Sequence, residues 1–358
     1  MGQNSKIEWT HDTWNLWRGC TEVSPACDHC YAREIAKRNP AVLGQWGPGA
    51  PRVLAAGPYR TLPLKWNEQA KAAGVRKRVF SLSLGDWLDD EVPIEWLAEL
   101  LSMVNSTPHL DWLLLTKRPE NFRMRILGAA SWLRGGMPSV KRQWLVDWAE
   151  DAEAPHNVWI GTTVEDQKRA DQRIPELLRI PARVRFLSCE PLLGPVNLEA
   201  MRLEPEDPLF RYWPLDGRHI RDGMNEPVQR PLAQTIQWVI AGGESGHNAR
   251  PMHPDWARSL RDQCAEAKVP FLFKQWGDYA PEDDWQLRVM DDPKKAGQWT
   301  EMTTACSTDK KQIGKVSIYA HDAAGKTVRM RKVGKKDAGR SLDGKEWDQF
   351  PNQQLAIA

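Results

Sequence analysis

Residues 157–190 read NVWIGTTVEDQKRADQRIPELLRIPARVRFLSCE. An apolar run, Asn157 to Thr163, is followed by a helical pattern over Glu165 to Leu178, and a second apolar run, Val184 to Cys189, ends on Glu190. Strand, helix and strand in that order make a βαβ unit, whose strands lie parallel. The unit repeats outward. Arg78 to Leu84 precedes a helix opened by Pro93, Leu110 to Thr116 precedes one near Pro119 to Leu127, and Ile236 to Ala241 precedes one at Asp255 to Lys268, followed by Val269 to Gln275. Near-continuous apolar strands imply a sheet covered on both faces. A first strand around Trp14 to Arg18 brings the total to about seven, which favours an α/β fold built as a parallel (β/α) barrel, full or partial.

The alternation is interrupted near 44–75, 129–153 and 203–233, which read as insertions on loops of a barrel spanning 1–276. Beyond Trp276 the segments are short, polar and punctuated by glycine, with VSIYA and TVRMRKV reading as paired strands. Residues 277–358 are therefore expected to form a small, basic, β-rich C-terminal appendage.

The chain has 358 residues, 41% of them hydrophobic, enough to bury a full core. No run of eighteen apolar residues occurs and MGQNSKIEW has no apolar signal region, so a soluble cytoplasmic protein with no membrane association is expected. Six cysteines, three of them scattered, make a poor disulfide framework. The formal charge of +2 hides an asymmetry: residues 310–345 carry eleven Lys or Arg against three Asp, a local +8 on an otherwise acidic chain. A basic segment of that kind suits a polyanion, and equally a solvated hairpin. Nineteen tryptophans are expected in the core, with stacking of a flipped base on Trp276 or Trp87 as a minority role.

Cys20, Cys27 and Cys30 form C-x6-C-x2-C within eleven residues. Three thiolates around one point hold three irons of a [4Fe–4S] cube and leave the fourth open, whereas structural zinc wants four ligands. A zinc site completed by His29, His11 or an acidic residue is the competing reading, and it would make the chain a zinc-stabilised nucleic-acid-binding protein. In a parallel barrel, chemistry collects where strands end. Those positions carry Asp86, Lys117, Arg118, Thr163, Glu165, Glu190, Glu244, Lys274 and Gln275. Singly, each is as readily a helix cap or a solvated loop residue; recurring together they suggest one site. Cys189 reads either as a hydrogen-atom donor or as a small core residue.

The cysteine spacing resembles an expanded form of the radical S-adenosylmethionine signature. That resemblance implies a cluster on Cys20, Cys27 and Cys30, S-adenosylmethionine as cofactor, and a 5′-deoxyadenosyl radical that abstracts hydrogen from carbon. It also implies an aromatic contact from His29, with Tyr31, Asp86 and Thr163 as further cofactor contacts. The Gly-Gly-Glu string of that superfamily is absent from SLSLGDW; Gly242 to Glu244 has it, after a later strand.

The series WTHDTWNLWRGC, CDHCYA, LLLTKRPENF, TTVEDQ, SCEPLLGPVNL, AGGESGHNARPM, KQWGDY and LDGKEWDQFP is similar to a phage-encoded, radical-SAM-like family long catalogued as a domain of unknown function. Parts of the three interrupting stretches are expected outside it. Membership implies a phage gene in an infected host cell and the cluster, and leaves the substrate open. Related phage systems that build hypermodified thymidines point to DNA with a modified thymidine as substrate, and the radical chemistry calls for an electron donor such as flavodoxin or ferredoxin. The expected reaction is isomerisation or remodelling of an aminoacyl-type thymidine adduct during hypermodification, with repair of a DNA lesion as the alternative. Lys274, Glu190 and Glu244 are the candidates for holding the amino acid and acting in catalysis, and Lys117, Arg118, Lys332, Lys335 and Lys336 for binding phosphates.

Overall fold

The computed structural model describes residues 3–134, 140–150, 153–202, 209–221, 228–229, 235–246, 248–282, 317–321 and 327–351. Seven parallel strands form one sheet in sequential order: β1 (Asp12–Trp14), β2 (Lys77–Ser81), β3 (Leu110–Thr116), β4 (Val158–Thr163), β5 (Val184–Cys189), β6 (Trp238–Gly242) and β7 (Phe271–Gln275). The first and last strands are the sheet's two edges, so the expected (β/α) barrel is a partial one. The helices are α1 (Tyr31–Ala36), α2 (Leu62–Ala72), α3 (Ile94–Asn105), α4 (Phe122–Arg134), α5 (Val140–Ala149), α6 (Gln167–Arg179) and α7 (Pro254–Glu266).

Side chains alternate across each strand, because successive Cβ atoms point to opposite faces. Val79, Trp112, Val158, Ile160, Leu187, Val239 and Phe273 face the helices, while Phe80, Leu113, Trp159, Phe186, Trp238 and Leu272 face the bore. The bore is aromatic: Trp238 meets Trp9 and Trp159 edge-on, with centroids 6.5 and 6.0 Å apart. It is tightly packed at Gly161, where a Cβ would fall 2.3 Å from the Phe186 ring. Helix starts follow local chemistry: Asp166 caps α6 by accepting from the Arg169 amide at 2.9 Å, and His253 caps α7, with Pro254 in its first turn.

Several details differ from the sequence reading. The first strand lies two residues early; at Asn15 the amide binds the Tyr59 hydroxyl at 3.0 Å instead of a ladder partner, and Trp17–Arg18 pairs with Val53–Leu54 outside the main sheet. Within 44–75, α2 is the crossover helix from β1 to β2, and within 129–153 lies α5. The 203–233 stretch carries a small antiparallel sheet of Phe210–Tyr212, Arg218–Arg221 and Val228–Gln229. Ser317–His321 and Thr327–Lys332 pair as expected and are joined by Tyr279–Pro281. The boundary expected at residue 276 is crossed by backbone hydrogen bonds from Phe273 to Trp347 (2.9 Å) and from Gln349 to Phe271 (3.2 Å). This strap covers the free edge of β7 and brings Phe350 to 5.3 Å from Trp238.

Trp87 and Trp276 are completely buried, so neither offers a face to a base. Trp87 stacks on Trp148, and Trp276 donates to the Ser341 carbonyl at 2.8 Å.

Candidate active site

The carboxyl ends of the strands open onto a cavity of about 690 Å³. Its lining includes Cys20, Cys27 and Cys30, together with His29, Tyr31, Asp86, Lys117, Arg118, Thr163, Glu190, Glu244, Lys274 and Gln275. Apart from Glu165, which is buried against Arg173 outside the lining, the strand-end positions singled out in the sequence therefore converge on one space.

The cysteine loop is anchored on two sides. On one, the Cys20 carbonyl accepts from the Gly47 amide at 2.9 Å, and the buried Arg52 ties the 44–55 loop to Asp89 (2.8 Å) and to Thr21 (2.7 Å). Below Cys20, Arg118 reaches its sulfur at 3.9 Å, the Asp86 carboxylate at 3.0 Å and the Thr21 carbonyl at 2.8 Å. Asp86 also accepts from Thr116 Oγ1, Leu88 N and Lys117 N, so both its oxygens are engaged by protein donors. Burial and the Asp86 carboxylate push the Cys20 thiol up to about 12, with Arg118 pulling it back. A thiolate there therefore calls for more positive charge than Arg118 supplies.

On the other side, Arg250 forms a clamp. It grips Glu244 through Nε (2.9 Å) and Nη2 (2.6 Å), and reaches the Pro25 carbonyl (2.8 Å) and the Asp28 carboxylate (3.2 Å) in the cysteine loop. His29 Nδ1 completes the network 3.1 Å from Glu244. Burial would raise the Glu244 carboxyl, but the Arg250 bonds and His29 outweigh it and hold it below its usual value. Two glycines allow the β6 and β7 exits to approach: a Cβ at Gly243 would lie 2.0 Å from the Trp276 carbonyl, and one at Gly277 2.1 Å from that of Glu244.

Opposite the cysteines, Lys274 Nζ lies 2.9 Å from Glu190 Oε1. A bulge makes this possible. Ala241 pairs with Phe273 but Gly242 pairs with Gln275, so Lys274 is the extra residue and both it and Gln275 line the cavity. Gln275 Nε2 donates to Ser245 Oγ at 3.0 Å and to the Gly243 carbonyl at 3.4 Å, while Oε1 is buried without a partner among the described residues.

The remaining expected residues fall in different places. Tyr31 is 48% exposed and donates its hydroxyl to the Ser83 carbonyl at 2.8 Å. Thr163 is buried at the end of β4, its carbonyl accepting from Arg173. Lys117 stands half-buried in the cavity, with no hydrogen-bond or ion-pair partner for its ammonium among the described residues. Burial opposes its charge, but Cys27, Cys30, Glu165 and Asp86 prevail and raise it. Lys335 and Lys336 are exposed, Lys335 at the cavity rim, and Lys332 sits 5.6 Å over the Tyr279 ring. Cys189 is a buried core residue outside the cavity lining.

The zinc reading lacks its ligands. Among the described residues no three His, Cys, Asp or Glu side chains converge as one metal ion requires. His29 is engaged by Glu244, and His11 bonds the Arg78 amide at the opposite end of β2.

A family model described as "Protein of unknown function (DUF5131)" matches residues 4–351. The chain belongs to this family. The match runs through 44–75, 129–153 and 203–233, which were expected to lie partly outside it. No curated protein matches the chain. Among solved structures, the family member is similar to a singly substituted mutant of spore photoproduct lyase, at 11% identity over 75% of each chain with a TM-score of 0.34. A second is a doubly substituted mutant of spore photoproduct lyase with bound AdoMet and dinucleoside spore photoproduct, at 11% identity over 74% of this chain and 77% of that one, again with a TM-score of 0.34. None of the described helices is long and apolar enough to cross a membrane.

Proposed function

We propose that this chain is a radical S-adenosylmethionine enzyme that isomerises or remodels an aminoacyl-type thymidine adduct in DNA, as in phage hypermodification. One observation carries the reading: the three thiols of the C-x6-C-x2-C loop share a cavity, at the carboxyl ends of a parallel partial barrel, with a fixed acid–base pair, Glu190 and Lys274.

The donor set is chemically suited to a cluster, since three thiols leave one iron open where structural zinc wants a fourth ligand. Zinc thiolates about 2.3 Å from one metal stand about 3.8 Å apart, and no such convergence occurs among the described residues. A cube takes each thiolate on a different iron, so its ligands stand further apart. Arg118 beside Cys20, and Lys117 with its ammonium in the cavity, offer the positive charge that three thiolates need. Bound on Cys20, Cys27 and Cys30, the cluster would supply the electron that cleaves S-adenosylmethionine and so opens radical chemistry at carbon.

The protein's own part is positioning. Arg250 and Glu244 fix the cysteine loop, and Arg118, held by Asp86, fixes Cys20. His29, Tyr31 and Thr163 remain the proposed cofactor contacts on the cavity wall. Glu190 and Lys274 hold the ammonium and carboxylate of the amino acid, while Glu244 serves the clamp instead. A base inside a duplex cannot reach this depth, so the nucleotide leaves the stack, with Lys335, Lys336 and Lys332 on its phosphates. Lys117 and Arg118 lie too deep for the DNA backbone. Flavodoxin or ferredoxin is the proposed electron donor.

Lesion repair would use the same cluster and DNA but needs no amino-acid holder, and the Glu190–Lys274 pair favours the adduct. The test is to incubate the reconstituted protein with S-adenosylmethionine and dithionite on DNA bearing aminoacyl thymidine or a thymine photoproduct, then analyse the nucleosides by mass spectrometry. Turnover of the adduct alone is expected; turnover of the photoproduct alone would overturn the substrate assignment.

A further inference from the structure

Two buried acceptor oxygens on residues that line the cavity have no hydrogen bond among the described residues. Gln275 Oε1 is buried without a hydrogen bond, and its amide is fixed in that sense because Nε2 must serve the Gly243 carbonyl. Glu190 Oε1 has Lys274 Nζ at 2.9 Å but outside hydrogen-bonding alignment, so its acceptor capacity is unused. Gln275 ends β7 and Glu190 directly follows β5, the two strands that flank β6 and Gly242. A Cβ at Gly242 would stand 3.0 Å from Glu190 Oε1 and 3.4 Å from the Gln275 main-chain carbonyl, so a side chain there would press on that carboxylate.

Buried acceptors in proteins almost always find donors. A carboxylate oxygen beside an amide carbonyl repels an anion, and a hydroxyl has one hydrogen to give where two acceptors wait. An ammonium carries three donors and a charge opposite to that of Glu190. Lys274 is such a group, carried by the bulge to the edge of this space on a flexible four-carbon stem.

We propose that Glu190 Oε1 and Gln275 Oε1 form a subsite for a protonated primary amine, beside which Lys274 stands in the free protein and which the substrate's amine fills. This rests on the aminoacyl-thymidine reading and narrows it to adducts whose amine is free. Gln275 and Gly242 become specificity-determining residues.

The test is equilibrium binding by calorimetry, at neutral pH without reductant, of 5-aminomethyl-2′-deoxyuridine and 5-hydroxymethyl-2′-deoxyuridine to the full chain reconstituted with iron and sulfide. The wild type is expected to prefer the amine by about tenfold. Glu190→Gln, Gln275→Met and Gly242→Ala are each expected to cut that preference about fivefold or more, with melting temperatures showing that the variants remain folded. Gly242→Ala removes no charge and no hydrogen bond, so its effect reports access to the carboxylate. Equal wild-type affinities, or an undiminished preference in Glu190→Gln, would overturn the subsite. A retained preference in a protein that binds no iron would support it and refute the radical chemistry.

Discussion

Replacing Arg250 by methionine separates what holds the cysteine loop from what merely stabilises the fold. The change removes two side-chain bonds to Glu244, one to Pro25 and one to Asp28, and it leaves the buried Glu244 with His29 and the residue-250 backbone amide, which donates at 2.8 Å. Stripping a partner from a fully buried ion pair costs about 3–5 kcal/mol. Arg250 is 30% exposed, so water repays part of that and about 2–3 kcal/mol is the working figure. At the low end of the usual conversion, about 2 °C per kcal/mol, the melting temperature falls by about 4–6 °C. Adding Glu244→Met removes the stranded carboxylate and should restore most of that loss. The loop contacts stay broken, so iron bound after anaerobic reconstitution should stay low in the double variant. Melting measured by calorimetry and iron measured by colorimetry would then disagree. If iron recovers with stability, or if Arg250→Met binds iron normally, the clamp does not position the loop.

Other consequences are simpler. Asp343 is held below its usual carboxylate range by hydrogen bonds and charge from Arg258 and Arg261, which fasten the C-terminal strap to α7. A carboxylate depressed in the folded state contributes stability above the unfolded value of 3.8 and loses it as pH falls through the lower folded value. Asp343→Asn should therefore destabilise near neutrality, with the difference from wild type vanishing in acid melts below that pKa. Gly161→Ala drives a methyl into the Phe186 ring and should cost about 1–3 kcal/mol in urea unfolding; a neutral result would mean that the bore has slack. Lys335→Ala with Lys336→Ala should flatten the salt dependence of DNA binding, lowering the slope of log K against log salt by about 1–2. An unchanged slope would remove those lysines from the interface.

What was legible in the sequence follows from how locally each feature is encoded. Leu110–Thr116 and Val184–Cys189 are mainly apolar runs, broken by Asp111 and Thr116 in the first and by Arg185 and Ser188 in the second, and both strands appear within those bounds because a doubly covered strand keeps apolar residues on both faces. Asp12–Trp14 is only three residues, with its start fixed by distant partners, and its span was misplaced. Leu62–Ala72 mixes Lys, Asn and Glu into its face and lay in a stretch read as an insertion. Strand-end chemistry was legible because the fold gathers strand ends wherever the strands are right. Arg250, Arg52 and the Gln275 oxygen were not, since each acquires its role from contacts far away in the chain or from a one-residue bulge with no signature of its own. The strap was visible as the motif LDGKEWDQFP, but nothing in those residues says that Phe350 ends against Trp238.

The most direct measurement is anaerobic purification and reconstitution of wild type and Cys27→Ala, with iron and sulfide quantified and 5′-deoxyadenosine followed after adding S-adenosylmethionine and dithionite. The account predicts about four irons per wild-type chain and cofactor cleavage that disappears with the Cys27 thiol. Stoichiometric zinc, no iron and no cleavage in the wild type would contradict it.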